Sequence, residues 1–315
     1  MSDKFNILIF GATGNIGSYI TQALLDARPH FGRFAIFTSP NSLQTKTEVL
    51  DKLRRQGVDI LVGDIANADE VRKAYADFDT VVSALGRDAL AAQIPLIELA
   101  AASASVRRFL PSEYGTDIEY GPASKDEKPH QQKLKVRAAL AKLRDQLEYA
   151  YVVTGPYADY PFFLADVPAA PQAGSFDVKA AKAVLVGDGE GRISLSGCSD
   201  VGRFVVHALT HWDQAKYRAL KLNSFTTTPK EILQEFEFQS GQRWKVEYTS
   251  LDELRKLEQE AWEKGTPLAT LYTLRRIWAE GGTLYERRDN EDIGVVDTQS
   301  LQELVRDSIR RQLEK

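Results

Sequence analysis

The chain has 315 residues, of which 43% are hydrophobic and 10% aromatic, so it can bury a large core and is neither a disordered nor a fibrous protein. Its 40 basic and 44 acidic residues give a net charge of −4, which excludes the basic excess of a nucleic-acid-binding protein and offers no polybasic membrane anchor. Cys198 is the single cysteine, which excludes an intramolecular disulfide and a thiolate metal cluster. We therefore expect a soluble cytoplasmic protein with neither nucleic-acid nor membrane partners.

The first half of the chain alternates between predicted strands and predicted helices. The strand candidates are short, apolar and without polar alternation, which is typical of strands buried on both faces of a parallel sheet. They are residues 6–10, 34–37, 58–62, 80–84, 108–110 and 149–153. The helix candidates between them are residues 16–27, 46–56, 68–76, 90–103 and 131–146. This order predicts an α/β fold, a Rossmann-type doubly wound parallel sheet.

The pattern changes after Val153, where several prolines interrupt regular structure. Residues 184–195 resemble a hairpin around a glycine-rich turn, and longer helices are predicted at 230–238, 251–263, 268–278 and 300–314. We expect a cofactor domain over residues 1–155. We expect most of residues 156–315 to form a smaller, mainly helical substrate-binding domain. A segment around residues 192–225 should return to the first domain.

A glycine-rich turn directly follows the first predicted strand and opens the first predicted helix. In such a turn, glycines allow a tight bend, a close approach of the backbone to a pyrophosphate and close packing of helix on strand. The spacing is GxxGxxG, which is typical of short-chain-type Rossmann domains. The residues assigned to cofactor binding here are Gly11, Thr13, Gly14, Asn15, Ile16 and Gly17.

The segment after the second predicted strand indicates which dinucleotide binds. An NAD site usually has an acid about 20 residues beyond the glycines, to accept from the ribose hydroxyl. No acid occurs between Asp26 and Glu48, whereas Thr38, Ser39 and Lys46 offer hydroxyls and a positive charge. Although each of these residues alone could be an ordinary loop residue, the missing acid favours NADP(H).

No usable Tyr-x-x-x-Lys pair, the usual catalytic pair of short-chain dehydrogenases, follows the fifth predicted strand. The match from Tyr217 to Lys221 lies far beyond the cofactor domain, and we interpret it as coincidental. Helical periodicity places Lys133 at the edge of an apolar stripe, while Lys135 and Lys142 point towards solvent. Partial burial would equip Lys133 for proton transfer, but a lysine whose stem merely covers apolar surface explains the pattern equally well.

Four segments resemble the isoflavone-reductase-like branch of the NmrA-like, atypical short-chain reductases. They are residues 11–17, 82–86 (VSALG), 107–115 (RRFLPSEYG) and 133–137 (KLKVR). The resemblance implies that Lys133, the first lysine of the last motif, is catalytic. It also implies cofactor contacts from Ser83, Ala84, Leu85, Gly86 and Lys133. Thr38 or Ser39 stands where the family often has arginine, and Tyr114 replaces the usual phenylalanine.

Aromatic residues cluster just beyond the sixth predicted strand, where ligands of open α/β sheets bind. Tyr157, Tyr160 and Phe163, together with Tyr114, are candidates for the substrate site, although core packing explains them about as well.

His207 and His211 lack the acidic neighbour of a zinc motif, so no metal is expected.

These observations favour an NADPH-dependent reductase of a small aromatic or conjugated metabolite, with Lys133 as general acid/base. The chain would be a monomer or a homodimer, with the small-molecule substrate as its partner. The alternative is a non-catalytic NADP(H)-sensing regulator of the same family.

Overall fold

A computed structural model describes residues 4–159 and 161–314. The strands of the first half are β1 (Ile7–Phe10), β2 (Phe34–Thr38), β3 (Asp59–Val62), β4 (Thr80–Ser83), β5 (Arg108–Leu110) and β6 (Glu148–Tyr149). The helices between them are α1 (Asn15–Asp26), α2 (Pro40–Thr45), α3 (Thr47–Arg55), α4 (Ala68–Tyr75), α5 (Gln93–Ala101) and α6 (Gln131–Lys142). The strands pair in parallel in the order β3-β2-β1-β4-β5-β6, which confirms the predicted Rossmann-type sheet.

The central strands are buried on both faces, as their unbroken apolar sequences predict. Ile7 and Ile9 of β1 face a core that includes Ile20 of α1, whereas Leu8 and Phe10 face the core of α4 and α5 on the other side. This alternation follows from the two-residue repeat of a strand. Each such apolar side chain contributes roughly 1.5–3 kcal/mol when it is fully buried. The sheet is therefore a rigid base for the loops at its carboxyl edge.

The predicted strand at residues 149–153 is divided in the structure. Its first part, β6, pairs with β5, whereas β7 (Tyr151–Val153) pairs in parallel with a strand from the second half of the chain, residues 219–221. Ala150 separates the two parts.

The second half of the chain contains more strands than the sequence predicts. They are β8 (Ser175–Asp177), β9 (Lys182–Val186), β10 (Ile193–Leu195), β11 (Ala219–Lys221), β12 (Phe225–Thr227) and β13 (Lys245–Thr249). Its helices are α7 (Cys198–Thr210), α8 (Trp212–Ala215), α9 (Pro229–Ser240), α10 (Leu251–Glu263), α11 (Leu268–Ala279) and α12 (Leu301–Leu313). Short 3₁₀ turns lie at Arg28–His30, Arg87–Ala92, Pro122–Asp126, Lys128–His130, Pro171–Ala173 and Glu291–Ile293.

The predicted hairpin at residues 184–195 is wrong. Strand β9 pairs with β8 on one side and with β13 on the other, while β10 pairs with β12. The predicted glycine-rich turn between β9 and β10 is present. A turn sequence alone, however, does not determine which strands pair with the strands on either side of it. The sheet β13-β9-β8 packs against α9 and α12 through a core that includes Phe176 and Phe236. This sheet adds strands to the second half, in which residues of α-helices still outnumber those of strands.

Helix α7 packs along α1, in the core of the parallel sheet. The contact is close because residue 202 is glycine: a Cβ atom there would lie 2.5 Å from the carbonyl oxygen of Tyr19. Phe204 and Val205 of α7 are fully buried in the same core.

Candidate functional site

The loop between β1 and α1 is held tightly against the end of β4. Gly11 has a φ of +75°, and a Cβ atom at this position would lie 2.4 Å from the carbonyl oxygen of Ala84. A Cβ atom on Gly17 would lie 2.0 Å from the carbonyl oxygen of Gly11. Only glycine is accommodated at these two positions, so the backbone itself forms the floor of the site.

The amino end of α1 opens into a cavity of about 260 Å³. Gly14 caps the helix without a side-chain hydrogen bond, and the first turn contains no acidic residue. The free N–H groups and the helix dipole therefore favour an anion at this end. Of the predicted cofactor residues, those that line the cavity are Gly11, Thr13, Gly14, Thr38, Ser39, Lys46, Ala84, Leu85 and Gly86.

The other predicted cofactor residues do not line this cavity. Asn15, Ile16 and Gly17 form the first turn of α1, and Ser83 is buried at the end of β4 with no hydrogen-bond partner for its hydroxyl. Ser42 and Asp64 also line the cavity and are not among the residues predicted from the sequence. The Ser-Pro pair that begins α2 could have indicated Ser42, because Ser39 caps this helix by accepting from the Ser42 N–H.

Lys46 brings a positive charge to the glycine-rich loop. Its ammonium donates hydrogen bonds to the carbonyl oxygen and the hydroxyl of Thr13, at 2.9 and 3.2 Å. The cavity thus combines a cation, two serine hydroxyls and a helix amino end within one space. Such a donor set suits a phosphate group.

Lys133 lies on the first turn of α6 and is half-buried, as helical periodicity predicts. Its ammonium donates a 2.6 Å hydrogen bond to the backbone carbonyl of Glu113. Burial lowers the pKa of Lys133 to about 8, and the nearby Arg87 and Arg137 add to this lowering against the opposing charge of Glu113. Lys135 and Lys142 are exposed, which confirms the prediction for them.

A buried ion pair fixes the carbonyl that holds Lys133. Arg137 donates to both carboxylate oxygens of Glu113, at 3.1 and 3.0 Å, and both side chains are almost fully buried. Arg137 also pairs with Glu119 and lies over the ring of Tyr151. The sequence alone does not indicate this pair, although Glu113 and Arg137 both lie in motifs that carry the family resemblance.

Lys133 lines a second cavity, of about 400 Å³, together with aromatic side chains. The predicted substrate residues Tyr114, Tyr157 and Phe163 all line it, whereas Tyr160 lies outside the described residues. Phe162 and Trp278 complete its aromatic lining. The structure therefore brings the proposed catalytic lysine and most of the proposed substrate residues into one space.

The two tyrosines of this cavity differ in their hydrogen bonding. The Tyr157 hydroxyl donates to the Tyr114 carbonyl oxygen at 2.6 Å, whereas the buried Tyr114 hydroxyl has no hydrogen-bond partner. Burial raises the pKa of both phenols, so both remain protonated near neutral pH. The Tyr114 hydroxyl is itself buried, so only the ring of this residue is available to line the cavity.

Consecutive residues of the segment that follows β4 line the two cavities. Ala84, Leu85 and Gly86 line the cavity at the glycine-rich loop, and the next residue, Arg87, lines the cavity of Lys133. A ligand that extends along this segment would reach from one cavity to the other.

The described residues were also compared with the patterns of metal sites and of membrane-spanning helices. Among them, no group of three or more His, Cys, Asp or Glu side chains is arranged to hold a metal ion. None of their helices is long and apolar enough to cross a membrane.

Comparison with known proteins gives consistent matches. The model of the NmrA-like family matches residues 3–275. An isoflavone reductase homolog, A622 of Nicotiana glauca, is 30% identical over 213 residues, and the match covers 66% of this chain and 65% of that protein. The phenylcoumaran benzylic ether reductase Betv6 of Betula pendula is 31% identical over 215 residues, 66% of each chain. The match to A622 therefore spans slightly less than two thirds of that relative.

Solved structures share the fold over almost the whole chain. The binary complex of leucoanthocyanidin reductase and NADPH from Vitis vinifera has a TM-score of 0.79 at 20% identity, over 97% of this chain and 99% of that chain. The structure described as AtPrR2 with NADP⁺ and (+)pinoresinol has a TM-score of 0.79 at 19% identity, with the same coverage.

Proposed function

The chain belongs to the NmrA-like family, and from this membership we propose that it is an NADPH-dependent reductase of a small aromatic or conjugated metabolite. Of the relatives named above, one is a phenylcoumaran benzylic ether reductase and the other an isoflavone reductase homolog, and two of the structures that share its fold are described with NADPH or NADP⁺. In this proposal Lys133 is the proton donor to the substrate.

The cavity at the glycine-rich loop fits the cofactor. The pyrophosphate would lie at the uncapped amino end of α1, over Gly11 and Gly14, where the backbone leaves no room for a Cβ atom at Gly11. Lys46, with Ser39 and Ser42, would hold the additional phosphate of NADPH. Asp64 lines the same cavity, but its carboxylate already accepts from the N–H of Ala66.

The single observation that carries the proposal is that Lys133 lines an aromatic cavity, and that Arg87 of this cavity directly follows Gly86 of the cavity at the glycine-rich loop. When bound, NADPH supplies the hydride for an electrophilic carbon of the substrate. Lys133 donates its proton to the substrate oxygen on which negative charge develops. With a pKa of about 8, the ammonium is mostly protonated at neutral pH yet gives up its proton more readily than an ordinary lysine.

The aromatic residues orient the substrate for this transfer. Phe162, Phe163 and Trp278 supply flat apolar surfaces for an aromatic or conjugated group. The largely apolar lining also lowers the polarity around the ammonium of Lys133, which strengthens its interaction with a developing charge.

The experiment that tests the proposal is NADPH oxidation across a panel of quinone, enone and phenylpropanoid substrates. We expect turnover with at least one aromatic or conjugated compound and none with saturated aliphatic ketones of similar size. Binding of NADPH without turnover of any substrate, together with nucleotide-dependent capture of a protein partner, would instead support the regulator.

A further inference from the structure

Arg275 of α11 is a buried cation without a counter-charge. Its side chain is 5% exposed, its Nε atom has no hydrogen-bond partner, and none of the described carboxylates forms an ion pair with it. Burial alone lowers the pKa of this guanidinium to about 10, so Arg275 stays charged at neutral pH. A buried charge without a partner is strongly unfavourable, because it has lost its hydration.

The neighbouring residue, Arg276, shows what a paired arginine of this helix looks like. It forms ion pairs with Glu127, Glu258 and Glu280, at 2.8, 2.6 and 3.1 Å. Arg276 therefore has three carboxylate partners, whereas Arg275 also lines a neighbouring cavity with Asp188 and Asp252 but forms an ion pair with neither. Arg275 lies over the rings of Phe163 and Trp278, with its guanidinium carbon 4.1 and 5.2 Å from the ring centroids.

Stacking on two aromatic rings offsets only part of this cost. The attraction between a cation and an aromatic ring is weaker than the hydration that a desolvated guanidinium loses. The rings also hold the planar guanidinium of Arg275 in one orientation, so that its side chain loses less conformational entropy when a ligand binds. The arrangement is that of a preformed anion receptor.

Arg275 faces the cavity of Lys133, and the charges of this cavity share one sign. Among the described residues, Arg87, Lys133 and Arg275 line it, whereas no aspartate or glutamate does. The lining is otherwise largely aromatic and aliphatic. Such a cavity complements a ligand that has an aromatic body and a negative charge.

We propose that Arg275 is a specificity-determining residue that binds a carboxylate group of the substrate. This inference rests on the proposed function, because it concerns the substrate of the same cavity. It narrows the substrate class to aromatic or conjugated carboxylates. The planar guanidinium would bind the carboxylate through two parallel hydrogen bonds, while Phe163 and Trp278 contact the adjoining aromatic carbons.

Equilibrium binding to the protein, measured by calorimetry with and without saturating NADP⁺, tests this inference without requiring turnover. The probes are two isosteric pairs of acid and neutral amide, cinnamate with cinnamamide and 2-naphthoate with 2-naphthamide. We expect the wild-type protein to bind at least one acid about tenfold or more tightly than its amide. If no acid binds more tightly than its amide, including the case in which nothing binds, the inference is overturned.

The variant Arg275→Met should remove this preference by weakening the binding of the acid and leaving the amide within about threefold. Arg275→Lys keeps the charge and should retain part of the preference. The matched control is Arg255→Met, because Arg255 is already paired with Asp252 and Glu280, so its loss should leave the preference intact. A preference that survives in Arg275→Met would assign the anion site to Arg87 or Lys133 and overturn the role of Arg275.

These outcomes are separate from those of the reductase proposal. If no substrate oxidises NADPH but the acid preference exists and depends on Arg275, the anion site stands and the reductase does not. If neutral substrates turn over as well as acids and Arg275→Met changes neither, the reductase stands and the anion site does not.

Discussion

The ammonium of Lys133 lies 2.6 Å from the backbone carbonyl oxygen of Glu113 and donates a hydrogen bond to it. This partner orients the amine without neutralising it, because the carboxylate of Glu113 is taken by Arg137. Burial is then the largest influence on the pKa of Lys133, which falls from 10.5 to about 8. The relationship makes Lys133 a fixed proton donor with an unusually low pKa.

The first prediction concerns the pH dependence of reduction. Because the protonated amine is the donor, kcat/KM should be level below pH 8 and fall about tenfold per pH unit well above it. Deprotonation of Lys133 would not cause this decrease in rate by unfolding the protein. Its folded-state pKa lies below the unfolded value, so its contribution to stability increases with pH between about 8 and 10.5. A rate that stays level to pH 10 would contradict the assignment.

The second prediction concerns the buried pair of Glu113 and Arg137. In Arg137→Met the buried carboxylate of Glu113 loses its main partner, so the free energy of unfolding should fall by about 3–5 kcal/mol. Denaturant unfolding measures this loss. Adding Glu113→Gln should restore part of the stability, because the uncompensated charge is then removed. A double variant that is no more stable than Arg137→Met would show that the charge is not the cause.

The third prediction concerns the glycine-rich loop. In Gly17→Ala the new methyl group would meet the carbonyl oxygen of Gly11, so α1 must shift away from the loop. The dissociation constant of NADPH should rise by about tenfold or more, and stability should fall by about 1–3 kcal/mol. Gly121→Ala is the control, because a Cβ atom at Gly121 has no neighbour within 4 Å. Equal NADPH affinity in both variants would argue against pyrophosphate binding at this loop.

The fourth prediction concerns Cys198, the single cysteine of the chain. The thiol is buried, and burial together with the charge of Asp159 raises its pKa. A thiol that is both inaccessible and protonated reacts slowly, because the thiolate is the nucleophile. Ellman's reagent should therefore modify the native protein no faster than it unfolds, and modify it rapidly in guanidinium chloride. Rapid modification of the native protein would contradict the packing of α7.

The sequence predicts the parallel sheet well because its signals are local. The strand β1, the glycines at 11, 14 and 17 and the helix α1 follow one another along the chain, and each favours the same structure. Lys133 was likewise placed at the edge of a buried face by the periodicity of one helix. Such features depend on neighbouring residues and on little else.

The features that the sequence did not predict depend on distant residues. Strand β9 pairs with β13, about 60 residues further along the chain, and no local signal identifies that partner. Arg275 is one of two adjacent arginines in α11, and only the tertiary structure separates the paired one from the buried, unpaired one. Glu113 and Arg137 are brought together in the same way.

The central claim, that Lys133 donates the proton in an NADPH-dependent reduction, is tested most directly by turnover and NADPH affinity measured on one preparation of Lys133→Met. We expect turnover to fall at least about 100-fold while the dissociation constant of NADPH changes little, and Lys135→Met, on the exposed side of α6, to match the wild type in both. Full turnover in Lys133→Met would contradict the claim.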